Sequence, residues 1–306
     1  MTDEVIDCLV VGGGPAGLTA AIYLARFHRS VTVFDKGEGR LALIPRSYNH
    51  PGYPEGVVGC ELLEDMRAQA IKYGATLRRG EVTSLQAAPE GFSAETDLGP
   101  VRARTVLLAT GVVNLRPPLQ DDIHGDAVAR GLLRYCPICD GYEQTGKRIA
   151  ILGADEHGVA EALFLRNYSA DLTLLALARA NIGTEARADL DRAGITLEAV
   201  PVSAFDFTKD VALTLADGRV LHFDTLYSAL GSHTRNDLGR MIGTDLEGEQ
   251  CFLTDSSGRT SVRWAYAAGD AIEGLDQISV AMGTAARAAV AIHNDLREAE
   301  GRTPSD

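Results

Sequence analysis

Two cysteines separated by two residues, and followed at once by a carboxylate, stand at Cys136-Pro137-Ile138-Cys139-Asp140. Thiols at this spacing suit three kinds of chemistry. A structural zinc site needs a second pair of ligands, and Cys8, Cys60 and Cys251 do not form one, so no metal is expected. Packed, unreactive thiols are a second reading. A redox dithiol is the favoured third: one sulfur attacks a substrate disulfide, and the other resolves the mixed disulfide or meets an electron carrier. Asp140 can shuttle a proton during exchange, although an acid in such a place is more often a turn or cap residue.

A dithiol needs an electron partner, and the chain opens with a place for one. Val10-Val11-Gly12-Gly13-Gly14-Pro15-Ala16-Gly17 carries the G-x-G-x-x-G spacing, a weak signal by itself. Here it follows an apolar run and opens a helical stretch, and Asp35 ends the next apolar run. The glycines permit a tight turn and close backbone approach, the helix N-terminus favours a diphosphate, and Asp35 can accept from ribose hydroxyls. An acid at position 35 disfavours a 2′-phosphate, so FAD or NAD fits better than NADP.

A second turn of this kind follows the cysteines, at Ile151-Leu152-Gly153-Ala154-Asp155-Glu156-His157-Gly158. Asp155 replaces the glycine that would let backbone approach a diphosphate, and Glu156 adds a second negative charge. Like charge against a diphosphate in a poorly screened pocket costs on the order of a few kcal/mol. Further on, Arg179 stands alone after Leu174-Leu175-Ala176-Leu177-Ala178, with no basic cluster for a 2′-phosphate. The turn is expected to exclude NADPH; a pocket that tolerates these changes is the alternative. His157 reads as a surface turn residue and Cys8 as a packed core thiol. Tyr48, His50 and Tyr53, around Pro51-Gly52, read as ordinary loop packing.

The elements that must position these motifs follow from periodicity. The apolar run 7–11 reads as a buried parallel strand, residues 16–27 as a helix and 30–35 as a second strand, which makes a βαβ unit. The order recurs with a strand at 149–152, a helix from about Val159 to Asn167 and a strand at 172–175. Strands also end at Gly111, Gly231 and Gly269-Asp270, Pro117-Pro118 marks a linker, and an alanine-rich helix runs from Gln277 to about Leu296. The expected fold is α/β, with two Rossmann-like three-layer domains, the second inserted into the first. Residues 1–115 and 236–306 form the outer domain, and 116–235 the central domain with the dithiol.

Bulk composition bounds the rest. The 306 residues suffice for two cores. A net charge of −13 leaves no basic stripe for nucleic acid, so none is expected as a partner. No apolar run reaches the roughly 18 residues of a membrane span. The acidic start, Met1 to Asp7, does not read as a secretory leader. Five cysteines, one of them necessarily odd, suggest a reducing compartment; a cytoplasmic location is expected.

Together the motifs resemble the low-molecular-weight thioredoxin reductases over nearly the whole chain. The resemblance rests on Gly12-Gly13-Gly14-Pro15-Ala16-Gly17, Asn49-His50-Pro51-Gly52, Ala109-Thr110-Gly111, Cys136 to Gly141, and Ala268-Gly269-Asp270 followed by Gln277. It implies an FAD domain built from both chain ends, a central domain carrying the dithiol, and a homodimer. Gly12, Gly14, Gly17 and Asp35 would hold the ADP half of FAD, and Asn49, Gly111, Asp270 and Gln277 would lie along the remainder. Pro15, Ala16, Lys36, Arg40, Val82, Thr110, Gly269 and Ile278 complete the expected cofactor contacts. Cys139 would face the flavin, Cys136 would attack the substrate disulfide, and Asp140 would be the acid–base.

Several positions depart from the family pattern. NADPH-using members carry a glycine at the place of Asp155 and a His-Arg-Arg cluster at the place of Ala176-Leu177-Ala178. Asp276 replaces an arginine before the late glutamine, and Arg40 replaces a glutamine in the early loop. Relatives lacking the NADPH elements include ferredoxin-linked reductases, and dithiol oxidases that close disulfides in holomycin- and gliotoxin-type metabolites. Asp140 is reductase-like, whereas Gly141-Tyr142-Glu143 resembles the oxidases. The expectation is an FAD-dependent dithiol–disulfide oxidoreductase whose partner is a thioredoxin-like protein or a small dithiol or disulfide. Ferredoxin and oxygen are the candidate electron partners, and both directions of reaction stay open. A conventional NADPH-dependent thioredoxin reductase and a non-catalytic redox-sensing flavoprotein are the alternatives.

Overall fold

The computed structural model describes residues 5–302, apart from Glu249; residues 1–4 of the acidic start lie outside the described residues. Contacts divide the chain into two compact units. One comprises Met1–Ala42, Val57–Val113 and His233–Asp306, and the other Leu43–Gly56 and Asn114–Ser232. The loop Leu43–Gly56, counted with the outer domain from sequence, thus falls in the second unit. A local reason is that Asn49 Nδ2 donates to the Ile138 carbonyl beside the cysteines at 3.3 Å.

The first unit is built on strand Val5–Val11, which pairs in parallel with Val31–Asp35 on one side and Val101–Leu108 on the other. Thr76–Arg79 extends the sheet beyond Val31–Asp35. The strand Val101–Leu108 is shared lengthwise: its first half pairs antiparallel with Gly91–Thr96, and its second half pairs in parallel with Ala265–Ala267. Leu9, Val106 and Leu108 are fully buried, as the unbroken apolar runs of a sheet covered on both faces require. The antiparallel arm Val82–Ala88 and Gly91–Thr96, not anticipated from sequence, alternates buried and exposed positions and so looks like loop in a short window.

Helix Pro15–Arg26 starts with proline at its first position, where the missing N–H is harmless, and buries nine of its residues. It packs against the C-terminal helix Ile278–Ala299, whose buried face is mostly alanine. Tyr266 donates to Asp295 of that helix at 2.6 Å, and Arg259 grips the same carboxylate through two 2.7 Å bonds, which fixes the helix to strand Ala265–Ala267. At the helix end Glu300 receives Arg29 and Arg104, each at 2.6 Å, and Arg104 also holds Asp7 of the first strand at 2.8 Å.

The second unit repeats the plan with a five-stranded parallel sheet. Its order is Thr196–Glu198, Leu172–Leu175, Ile149–Leu152, Thr225–Ser228 and Leu133–Arg134. An antiparallel meander of Val202–Asp206, Val211–Leu215 and Val220–Phe223 packs with it in one buried cluster. The helix expected from Val159 begins at Glu156, because Asp155 caps it. Among the described residues no helix is long and apolar enough to cross a membrane.

The Glu300 cluster sets an acid limb. Its hydrogen bonds from Arg29 and Arg104 pull the carboxyl from 4.5 down to about 2. A group with a depressed folded pKa contributes stability above its unfolded pKa and loses it as pH falls. Stability measured by urea titration should therefore drop between pH 4.5 and about 2, and Glu300→Gln should flatten that part of the profile.

Candidate active site

The two glycine turns are built alike. A Cβ on Gly17 would lie 1.8 Å from the Gly12 carbonyl oxygen, and one on Gly158 would lie 1.7 Å from that of Gly153. Gly12 and Gly153, at φ +106 and +134, would set a Cβ 2.2 Å and 2.4 Å from the carbonyls of Ala109 and Ala229. The first and last glycine of each motif are therefore demanded by the protein itself. The middle position differs. Gly14 and Asp155 occupy equivalent extended places before their helices, and a Cβ on Gly14 would meet no protein atom within 4 Å. What glycine leaves open in the first turn is space toward a ligand at the helix N-terminus. In the second turn Asp155 Oδ1 accepts from the Gly158 N–H at 3.0 Å, so the chain's own carboxylate takes a helix-end amide.

Other residues expected at the cofactor gather around the carboxyl ends of the first sheet, where doubly wound folds bind ligands. Asp35 ends its strand and accepts from Gly37 N at 3.1 Å and from Arg67, a partner with no sequence signal, at 3.1 Å. Gly111, at φ +64, follows strand Val101–Leu108, and its neighbour Thr110 donates to the Arg235 carbonyl at 2.6 Å. Gly269, at φ +73, and Asp270 follow strand Ala265–Ala267; Gln277 precedes the long helix and Ile278 opens it. Arg40 reaches both Asp270 at 2.5 Å and Asp276 at 2.8 Å. Lys36 turns to Glu81 at 3.1 Å and Glu38 at 3.4 Å on the surface, and Val82 is buried in the antiparallel arm.

In the second unit Cys136 and Cys139 are joined as a disulfide at the turn Pro137–Asp140. The Cys139 N–H lies 3.2 Å from Cys136 Sγ, a donor placed to favour a thiolate there. Asp140 is not loose: Arg134 binds one of its oxygens, and the Tyr227 hydroxyl donates to the other at 2.6 Å. Arg134 and Tyr227 lie on neighbouring parallel strands far apart in sequence, which is why spacing alone could not find them. Burial, reinforced by the Asp140 carboxylate, pushes the Tyr227 phenol far above its usual range, so it stays a donor. His50 stacks on Tyr53 at 5.6 Å, and the exposed His157 pairs with the mostly buried Glu161 at 3.0 Å. Cys8 is fully buried, which raises its thiol to about 12 and makes it inert; Cys60 is exposed.

Residues 6–285 match the family Pyridine nucleotide-disulphide oxidoreductase. The chain belongs to that family. It is 29% identical to the bifunctional thioredoxin reductase/thioredoxin of Mycobacterium leprae, over 98% of this chain and 68% of that protein. It is 30% identical to the thioredoxin reductase of Streptomyces clavuligerus, over 94% of this chain and 92% of that one. Among solved structures, HlmI superposes with a TM-score of 0.90 at 26% identity, covering 98% of this chain and 95% of HlmI. These likenesses make the protein a thioredoxin reductase-like flavoprotein disulfide oxidoreductase.

Two outcomes follow from this geometry. Gly17→Ala should lose about 2 kcal/mol or more of folding stability through overpacking. Gly14→Ala should stay within about 0.5 kcal/mol of the parent while its FAD content falls; denaturant titration and flavin absorbance separate the two. Asp140→Asn offers one acceptor oxygen where Arg134 and Tyr227 need two. It should destabilise the protein by about 1–3 kcal/mol in the same titration.

Proposed function

We propose that this protein exchanges electrons between FAD and the Cys136–Cys139 pair without taking them directly from NADPH. The observation that carries the reading is the Asp155 carboxylate on the Gly158 amide, because a helix end already capped by an anion offers a diphosphate neither that donor nor a neutral surface. The first turn supports FAD by contrast: it has the close-packed Gly12 and Gly17, an open face at Gly14, and Asp35 at the end of the next strand. Pro15 and Ala16 open the helix behind that face. Thr110, Gly111, Gly269, Asp270, Gln277 and Ile278 would line the rest of the cofactor, and Asn49 is a further proposed contact.

When bound, FAD supplies a two-electron carrier. The chain's own part is thiol chemistry. In the reductive direction the Cys136 thiolate attacks a partner disulfide, and one partner sulfur leaves and takes a proton. Cys139 then attacks the Cys136 sulfur, the second partner sulfur leaves with the other proton, and the Cys136–Cys139 bond forms. The partner has been reduced by two electrons and the protein dithiol oxidised by two. The oxidative direction runs these steps backwards on a dithiol. Asp140 is the proton carrier for the exchange, with Arg134 and Tyr227 as positioning residues that hold its carboxylate.

A thioredoxin-like protein or a small dithiol is the proposed partner, and the Mycobacterium leprae relative, named as a reductase joined to a thioredoxin, supports the former. Ferredoxin or oxygen would take the place of NADPH, and a cytoplasmic homodimer is the proposed setting. An anaerobic titration tests the reading. Stoichiometric NADPH should leave the flavin band near roughly 450 nm unchanged, whereas dithiothreitol should bleach it. Rapid bleaching by NADPH would return the protein to the conventional reductases. Bleaching by dithiothreitol that persists unaltered in Cys136→Ser and Cys139→Ser would end the proposed relay.

A further inference from the structure

Two of the departures from the family pattern turn out to touch. Arg40 stands where a glutamine is usual and Asp276 where an arginine is usual, and Arg40 Nη2 donates to Asp276 Oδ2 at 2.8 Å. The same nitrogen donates to Asp270 Oδ2 at 2.5 Å. The guanidinium thus bridges three segments at the carboxyl edge of the first sheet: the loop after Val31–Asp35, the turn after Ala265–Ala267, and the residue before Gln277 at the head of the long helix. None of the three side chains is fully exposed; Arg40 keeps 28%, Asp270 22% and Asp276 39% of its surface. Burial and the neighbouring Asp270 carboxylate push Asp276 upward, against the pull of Arg40. Two carboxylates held this close are tolerable as anions only with a cation between them.

We infer that Arg40 and Asp276 are a matched pair that sets FAD retention. Arg40 neutralises a rim that would otherwise face the dianionic diphosphate with two carboxylates, and Asp276 anchors Arg40 so that it does not swing into solvent. The swap exchanges a neutral–cationic combination for a cationic–anionic one, and Asp276 is harmful without Arg40. Asp276 without Arg40 leaves an anionic rim; Arg40 without Asp276 still pairs with Asp270. The inference rests on the proposal that this crevice holds FAD.

The test compares the purified holoprotein with Arg40→Gln, Asp276→Asn and the double variant. Two readouts are used: flavin content per chain, and the rate at which flavin fluorescence rises on dilution as FAD escapes. Arg40→Gln should release FAD at least about tenfold faster, Asp276→Asn should stay within about threefold, and the double variant should return to within about threefold of the parent. Rescue read in flavin release, with folding stability unchanged across the set, is the decisive readout, since a merely structural pair would show its rescue in stability. A double variant no better than Arg40→Gln overturns the inference, as does an Arg40→Gln protein indistinguishable from the parent. Should Arg40→Gln not fold, Arg40→Lys replaces it: release within about threefold of the parent upholds charge compensation, and release more than about tenfold faster overturns it. A parent protein that carries no FAD would instead overturn the FAD reading itself.

Discussion

Backbone contact that only hydrogen can fill is the constraint on which both units depend. At Gly17 and Gly158 a helix starts so close to the preceding turn that any side chain would strike the Gly12 or Gly153 carbonyl. That contact aims the helix N-terminus at the carboxyl edge of its sheet, and every later feature of the crevice is placed relative to it. Because both turns keep this contact, the second unit retains the frame of a nucleotide-binding fold. Asp155 changes the face of that frame and leaves its geometry intact.

Much of this was legible in the residues. The parallel strands at 7–11, 30–35, 149–152 and 172–175 show as short, mostly apolar runs, since most of their positions are buried. The antiparallel arm from Val82 to Thr96 did not show, because a half-exposed strand beside a turn mimics a polar loop. The helix starts at Glu156, ahead of the Val159 that periodicity predicts, because Asp155 is a preferred cap as well as a charge toward a ligand.

Side-chain partners divide along the same line. A residue's own chemistry is written in the sequence, but the identity of its partner depends on topology. Asp140 could be picked out beside the cysteines, whereas Arg134 and Tyr227 reach it only because parallel pairing sets their strands side by side. Arg67, 32 residues on in the helix Gly59–Lys72, meets Asp35, and Arg40 meets Asp276 from the opposite end of the chain. Only the fold shows that Arg40 and Asp276, both departures from the family pattern, touch.

The cap at Asp155 also couples the charge of its turn to the stability of a helix. Glycine in its place would remove a side-chain bond to the helix end, at a cost of roughly a few tenths of a kcal/mol. It gains nothing in return while Ala176-Leu177-Ala178 lack basic groups. A local bond of three residues' span thus ties the charge that this turn presents to the start of the helix behind it.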